Sequence, residues 1–365
     1  MPITPEAVLD ALRQVEEPDL KKDLVTLNMV RDVQVDGQQV SFTVVLTTPA
    51  CPLKDMIRNA CITAVKTLVD ANAEVAVNLT AEVTRPQGPN LNALGGVKNI
   101  LLVGSGKGGV GKSTVAANLS VALAQSGASV GLLDADIYGP SVPTLFGLEG
   151  ERPLMREDAN GKSLIEPFTQ HGVKVLSLGM LVPADQAVVW RGPMASNALR
   201  QLFTDTAWGE LDYLVVDLPP GTGDIHITVA QQFPITGAVI VTTPQQVALA
   251  DVRKAIAMLV APQINVPVLG IVENMAYFET DELPGRRFHL FGEGGGTALA
   301  HELGLDLLAA LPLVEAVRAS GDAGEPIATQ PDTLLGRAYA ELGSRVAQQV
   351  AVRNAQGHAS AALPR

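Results

Sequence analysis

Between Val103 and Thr114 the chain reads V-G-S-G-K-G-G-V-G-K-S-T. The apolar run Asn99–Val103 before it predicts a buried strand, and apolar residues after it, from Ser113 to Leu123, recur at helical spacing. Between them, Gly106 to Ser113 has the spacing G-x-x-x-x-G-K-S. This is the P-loop pattern, and a strand-to-helix junction is the setting that gives it meaning. Gly106, Gly108, Gly109 and Gly111 let the backbone N–H groups of the loop, those of Lys107 and Val110 included, converge on a concavity that side chains would block. The following helix N-terminus adds roughly half a positive charge to that concavity. Lys112 is spaced to reach the β- and γ-phosphates and Ser113 to ligate Mg²⁺, with Thr114 a further candidate nucleotide-binding residue. The stretch implies a nucleoside triphosphate site.

From Lys98 onward, candidate strands at 99–104, 129–134, 173–178, 212–217, 237–243, 266–272 and 307–311 alternate with helical patterns. That alternation predicts an α/β fold with a mostly parallel sheet, whose ligands sit at the carboxyl ends of the strands. Three polar motifs fall at such ends. In Leu133-Asp-Ala-Asp-Ile-Tyr-Gly-Pro140, Asp136 is the candidate to orient an attacking water and Asp134 to stand near the Mg²⁺ shell; an Asx turn closing the strand is the alternative. In Leu214-Val-Val-Asp217-Leu-Pro-Pro-Gly-Thr-Gly-Asp224, Asp217 ends an apolar strand as a Walker B carboxylate does, holding the metal partly through water. Asp224 reads equally as a switch residue or a helix cap. In Ile271-Val-Glu-Asn274-Met275, the Asn274 amide carries a donor and an acceptor that match an adenine edge.

Residues 1–85 read as a separate small α+β domain. Thr4 and Pro5 open a helix through Val15, residues 33–46 alternate as a hairpin about Asp36-Gly37, a helix runs from about 53 to 71, and 73–84 supplies a further strand. Cys51 precedes that second helix, where a thiol tends to ionise readily and react or bind metal; a small buried side chain is the equal alternative. Cys61 shares a helical face with Ile57, Val65 and Leu68 and reads as core. Residues 86–97 form a Pro/Gly/Asn linker, 98–353 the P-loop domain, and 354–365 a flexible tail. The last helix, about 333–353, puts Leu335, Leu342, Val346 and Val350 on one face, with too few basic residues opposite for a membrane-surface anchor.

Hydrophobic residues make up 47% of the 365, yet no run approaches the roughly 18 residues of a membrane span. The start, MPITPEAVLDAL, has no basic and apolar leader, so a cytosolic protein with no membrane partner is expected. The net charge of −12 is spread as −4 over residues 1–85 and −8 over the rest, which argues against nucleic acid as a partner. Two cysteines give neither a disulfide framework nor a CxxC pair.

GKGGVGKST resembles the deviant P-loop of the MinD/ParA/nitrogenase-iron-protein class of ATPases. With DADIYGPS, VVWRGPM, DLPPGTGD and ENM in that order, the chain closely resembles the Mrp/ApbC family of ATP-dependent iron–sulfur cluster carriers over roughly residues 1–350. LTTPACPLKD resembles the small domain of SufT and of cytosolic iron–sulfur assembly factors, in which this cysteine, here Cys51, is the functional one. The resemblance implies a homodimer that binds ATP and Mg²⁺ and hydrolyses ATP slowly. In it Lys107 would cross to the neighbour's nucleotide, Lys112 and Asp136 would serve hydrolysis, and Asn274 would contact adenine. It further implies iron–sulfur apoproteins or assembly factors as partners and a [4Fe-4S] cluster as cargo. One departure stands out. Many members place a CxxC between ENM-x-Y-F and F-G-x-G-G-G, where this chain has none. Glu279, Asp281, Glu282 and His289 stand there instead, harder donors suited to other metals or to solvent. Two other readings follow: a MinD/ParA-like positioning ATPase, and an ATP-dependent adaptor that has lost cluster binding.

Overall fold

The computed structural model describes residues 2–86, 94–137, 139–158, 161–181, 192–280 and 285–361. Contacts divide the chain into two compact units, residues 1–85 with 347–365, and residues 86–346.

In the first unit, α1 (Pro5–Leu12) opens where Thr4 Oγ1 accepts a hydrogen bond from Ala7 N at 3.2 Å, with Pro5 at the first helical position. A short antiparallel pair follows, β1 (Glu16–Glu17) and β2 (Lys22–Asp23). The hairpin β3 (Val30–Asp36) and β4 (Gln39–Leu46) turns through Gly37-Gln38, because Asp36 pairs with Gln39 and Gly37 takes a φ of 60°. With one edge of β4 occupied, the chain crosses through α2 (Lys54–Leu68) and lays β5 (Glu74–Ala81) parallel on the other. Val8, Leu12, Phe42, Ile57, Cys61 and Val65 meet in the core between sheet and helices.

The second unit begins with β6 (Val97–Ser105), α3 (Lys112–Gln125), β7 (Val130–Asp134) and α4 (Val142–Leu145). A hairpin of β8 (Met155–Glu157) and β9 (Ser163–Ile165) precedes β10 (Phe168–Gln170) and β11 (Val173–Ser177). There follow α5 (Gly192–Thr204), β12 (Leu211–Asp217), α6 (Asp224–Gln232), β13 (Ile235–Thr242), α7 (Gln246–Val260) and β14 (Val268–Glu273). The chain closes with α8 (Gly295–Leu303), β15 (Leu307–Ala310), α9 (Glu315–Asp322) and α10 (Leu334–Ala361). The sheet runs β10-β11-β7-β12-β6-β13-β14-β15, parallel throughout except for β10 at one edge. Each predicted strand appears as one of its parallel strands. Buried on both faces, such strands carry the unbroken apolar runs that made them visible. The core packs Leu102, Leu133, Leu214, Ile240 and Ile271 from successive strands. From Val115 to Leu123 every residue of α3 is buried, as expected of a helix enclosed on all sides.

Two expected boundaries shift. Val97, assigned to the linker, is buried as the first residue of β6; linker residues 87–93 lie outside the described residues. The tail expected from 354 is instead helical to Ala361, and buried Asn354 donates from Nδ2 to the Thr84 carbonyl at 2.9 Å. A buried amide with a backbone partner holds this end of α10 in place.

Candidate functional site

Strand register builds the site. Ser177 of β11, Asp134 of β7 and Asp217 of β12 are paired in one row at the carboxyl end of the sheet, and Asp217 is level with Val103 of β6. Just beyond Val103 the chain turns into the P-loop. Gly106 passes so close to α7 that a Cβ would come within 2.4 Å of the Asp251 and Val252 backbone. Gly111 has a φ of 81°, and a Cβ there would lie 2.3 Å from Asn274 Nδ2. These two glycines fix the loop's path.

Lys112 is the first residue of α3 and is buried, so its ammonium requires a counter-charge. It donates to Asp217 Oδ1 at 2.6 Å and to Ser113 Oγ at 3.2 Å, with Asp136 Oδ2 at 3.7 Å. Asp217 is wholly buried, and its Oδ2 has no hydrogen-bond partner. Burial raises the Asp217 pKa, and Lys112 pulls against that rise. Asp134 accepts from Ser177 Oγ at 2.9 Å, from Asp136 N at 3.0 Å and from Val142 N at 3.3 Å. Burial, reinforced by the Asp217 charge, pushes its carboxyl up to about 7. An orphaned carboxylate oxygen beside a serine hydroxyl fits Mg²⁺, a hard cation usually bound by one or two carboxylates together with phosphates and water. Among the described residues no group of three or more His, Cys, Asp or Glu is arranged to hold a metal ion by itself.

A cavity of about 520 Å³ opens beside Asp136, walled by Pro219, Pro220, Gly223, Asp224 and His226. A second, of about 550 Å³, is lined by Gly111, Thr114, Asn274, Met275, Leu313 and Arg318. Asn274 uses its amide to donate to the Val110 carbonyl at 2.9 Å, so it braces the P-loop at the edge of that second cavity. Asp224 opens α6 in an exposed position, while the cap itself is Gly223. Lys107 Nζ donates at 3.3 Å to Gln245 Oε1 of the same chain.

Cys51 overturns one expectation. The thiol is buried in the core of the first unit, and desolvation, with the charges of Glu17 and Asp19 behind it, raises its pKa. Cys61 is fully buried and pushed up to about 12. Glu279 Oε1 accepts from Gly285 N at 2.9 Å, and the His289 ring lies 3.2 Å from the Ala276 carbonyl through Nδ1. Asp281, Glu282, Tyr138 and the Val188–Arg191 part of VVWRGPM lie outside the described residues.

Sequence reasoning missed Ser177, Gln245 and His226. Ser177 ends an apolar strand, as Asp134 and Asp217 do, and that shared position is the signal that points to it.

Residues 96–349 match the family described as NUBPL iron-transfer P-loop NTPase, and residues 5–79 match one described as iron–sulfur cluster assembly protein. An iron–sulfur cluster carrier protein of Synechocystis sp. is 49% identical over 352 residues, covering 96% of this chain and 99% of that protein. The carrier protein of Deinococcus radiodurans is 45% identical over 352 residues, covering 95% and 96%. Among solved structures, a nucleotide-binding protein from Archaeoglobus fulgidus in complex with ADP, with Co found by PIXE, superposes with a TM-score of 0.57 at 41% identity. That match covers 66% of this chain and 91% of the other. The chain thus has relatives along almost the whole of its sequence, and it belongs to the NUBPL iron-transfer P-loop NTPase family.

Proposed function

We propose that the chain is an iron–sulfur cluster carrier in which two copies close on MgATP, hydrolyse it slowly, and couple that cycle to loading or delivering the cluster. The observation that carries this reading is the buried Lys112 ammonium, held between Asp217 and Asp136 at the mouth of a P-loop. An arriving triphosphate takes over Lys112 from the two carboxylates. Asp217, with Asp134 behind it and Ser113 beside it, is then free to hold the metal's hydration shell. Bound Mg²⁺ would supply charge neutralisation at the β- and γ-oxygens. Asp136 orients the attacking water, and Lys107, released from Gln245, reaches the partner's nucleotide as charge builds on the γ-phosphoryl group. The 550 Å³ cavity beside Asn274 takes the adenosine. Turnover is slow because the cycle serves to alternate conformations rather than to process a metabolite.

Carriage of a cluster is supported by the names of the full-length relatives, which favour it over a positioning ATPase. The thiolate ligands come from Cys51 of two copies together with thiols of the partner apoprotein. Iron must displace the Cys51 proton, so loading requires this part of the core to open. Both cysteines are buried and no CxxC is present, which keeps the cluster-free adaptor as the second reading.

The nucleotide part is tested by phosphate release and sedimentation. Lys112→Ala should reduce hydrolysis to background. Lys107→Gln should bind ATP yet fail to form the dimer that the wild type forms with a non-hydrolysable analogue and Mg²⁺. Turnover unimpaired in Lys112→Ala would refute the site assignment.

A further inference from the structure

His226 has no place in the scheme above, yet its setting is unusual. It lies in the first turn of α6, is 3% exposed, and neither ring nitrogen has a hydrogen-bond partner. Buried polar groups in folded proteins nearly always find partners, so an imidazole with none is either a standing penalty or waits for a partner. Its surroundings favour the second. The ring lines the 520 Å³ cavity that Asp136 also lines. It borders, too, a void of about 10 Å³ beneath Gly104, Ser105 and Leu218.

The segment joining Asp217 to α6 is pinned at both ends, with His226 N donating to the Gly223 carbonyl at 3.1 Å at its far end. Leu218 N donates to the Val103 carbonyl at 3.1 Å and Gly221 N to the Ser105 carbonyl at 2.9 Å. Thr222, Gly223 and Asp224 beyond it are exposed. The His226 ring lies beside the Pro219 and Gly223 backbone of this segment. Burial lowers its pKa below the ordinary histidine value, so at neutral pH the ring is uncharged, with one donor and one acceptor.

We propose that His226 is a positioning residue for ATP hydrolysis. When the 218–224 segment closes over the γ-phosphoryl group, the ring N–H donates to a Pro219 or Gly223 carbonyl. That bond locks the segment at the wall of the cavity where Asp136 holds the water. This inference rests on the ATPase reading above. Both carbonyls already stand beside the ring short of hydrogen-bond geometry, and closure brings one into line, so loss of the bond acts on the catalytic step and leaves ground-state nucleotide binding intact.

The test compares wild type with His226→Leu and His226→Gln. Leucine fills the space without polar atoms, whereas glutamine restores a donor of similar reach. Three readouts are needed: steady-state hydrolysis of MgATP, thermal unfolding without nucleotide, and amide exchange across residues 218–226 with a non-hydrolysable ATP analogue. His226→Leu should lose about 10- to 100-fold in kcat with KM changed less than about 3-fold, and His226→Gln should recover to within about 5-fold of wild type. The leucine variant should unfold at the same or a higher temperature, since it removes two unpartnered nitrogens, and should lose the analogue-induced protection of the segment. Wild-type kcat and wild-type protection in His226→Leu would overturn the proposal. So would equal losses in both variants with a lowered unfolding temperature, the mark of packing alone. If the wild type hydrolyses nothing but its analogue-induced protection still depends on His226, the ATPase reading falls and the closure role stands.

Discussion

Lys112 and Asp217 make a buried ion pair that is stable only while both partners stay charged and close, which is why a phosphate can compete for the lysine. The spacing of Gly106, Gly111 and Lys112 was legible in the sequence because a P-loop is a local object, written in consecutive residues. Ser177 was not, since it meets Asp134 only through the pairing of two strands more than forty positions apart. Cys51 shows local reasoning overruled. Its place before α2 suggests a reactive thiolate, but burial among apolar side chains, near Glu17 and Asp19, favours the protonated form. A folded-state pKa raised above 9.0 means that the stability this thiol contributes is present below pH 9 and lost as pH climbs through the folded value. In the native protein at pH 8, alkylation of Cys51 by iodoacetamide should therefore run at least about 10-fold slower than in denaturant, the gap narrowing above pH 9. Labelling at the denatured rate at pH 7, followed by mass spectrometry, would contradict this.

At the scale of elements, the sheet was readable where strands are enclosed and unreadable where they are not. Each inner strand is an apolar run ending in a polar residue, whereas β8, β9 and β10 are three-residue, largely exposed pieces with no run to detect. The end of α10 was missed for a related reason. Its Asn, Gly, His and Ser residues have weak helix propensity, and tertiary contacts decide in their place. Asn354 is the testable contact, bonded to Thr84 at both the carbonyl and Oγ1. Asn354→Ala should speed amide exchange over residues 350–361 and lower stability by about 1 kcal/mol. Unchanged exchange there would show that the helix end is held by other contacts.

For the whole molecule, one chain joins a P-loop NTPase unit to a small unit that carries both of its cysteines. Composition pointed to two domains through length alone, and motif order supplied their identities. Neither could reveal that residues 347–365 group with the N-terminal unit, because that depends on where a long helix ends up in space. In the proposed function, Cys51 of two copies holds the cluster together with thiols of the apoprotein. The test is the iron and acid-labile sulfide retained by the full chain after anaerobic reconstitution with a small thiol supplied in place of the apoprotein's, measured for wild type and Cys51→Ser. The wild type should retain iron and sulfide in near-equal amounts, and Cys51→Ser should lose both. Retention of neither by the wild type, or of both by Cys51→Ser, would contradict it.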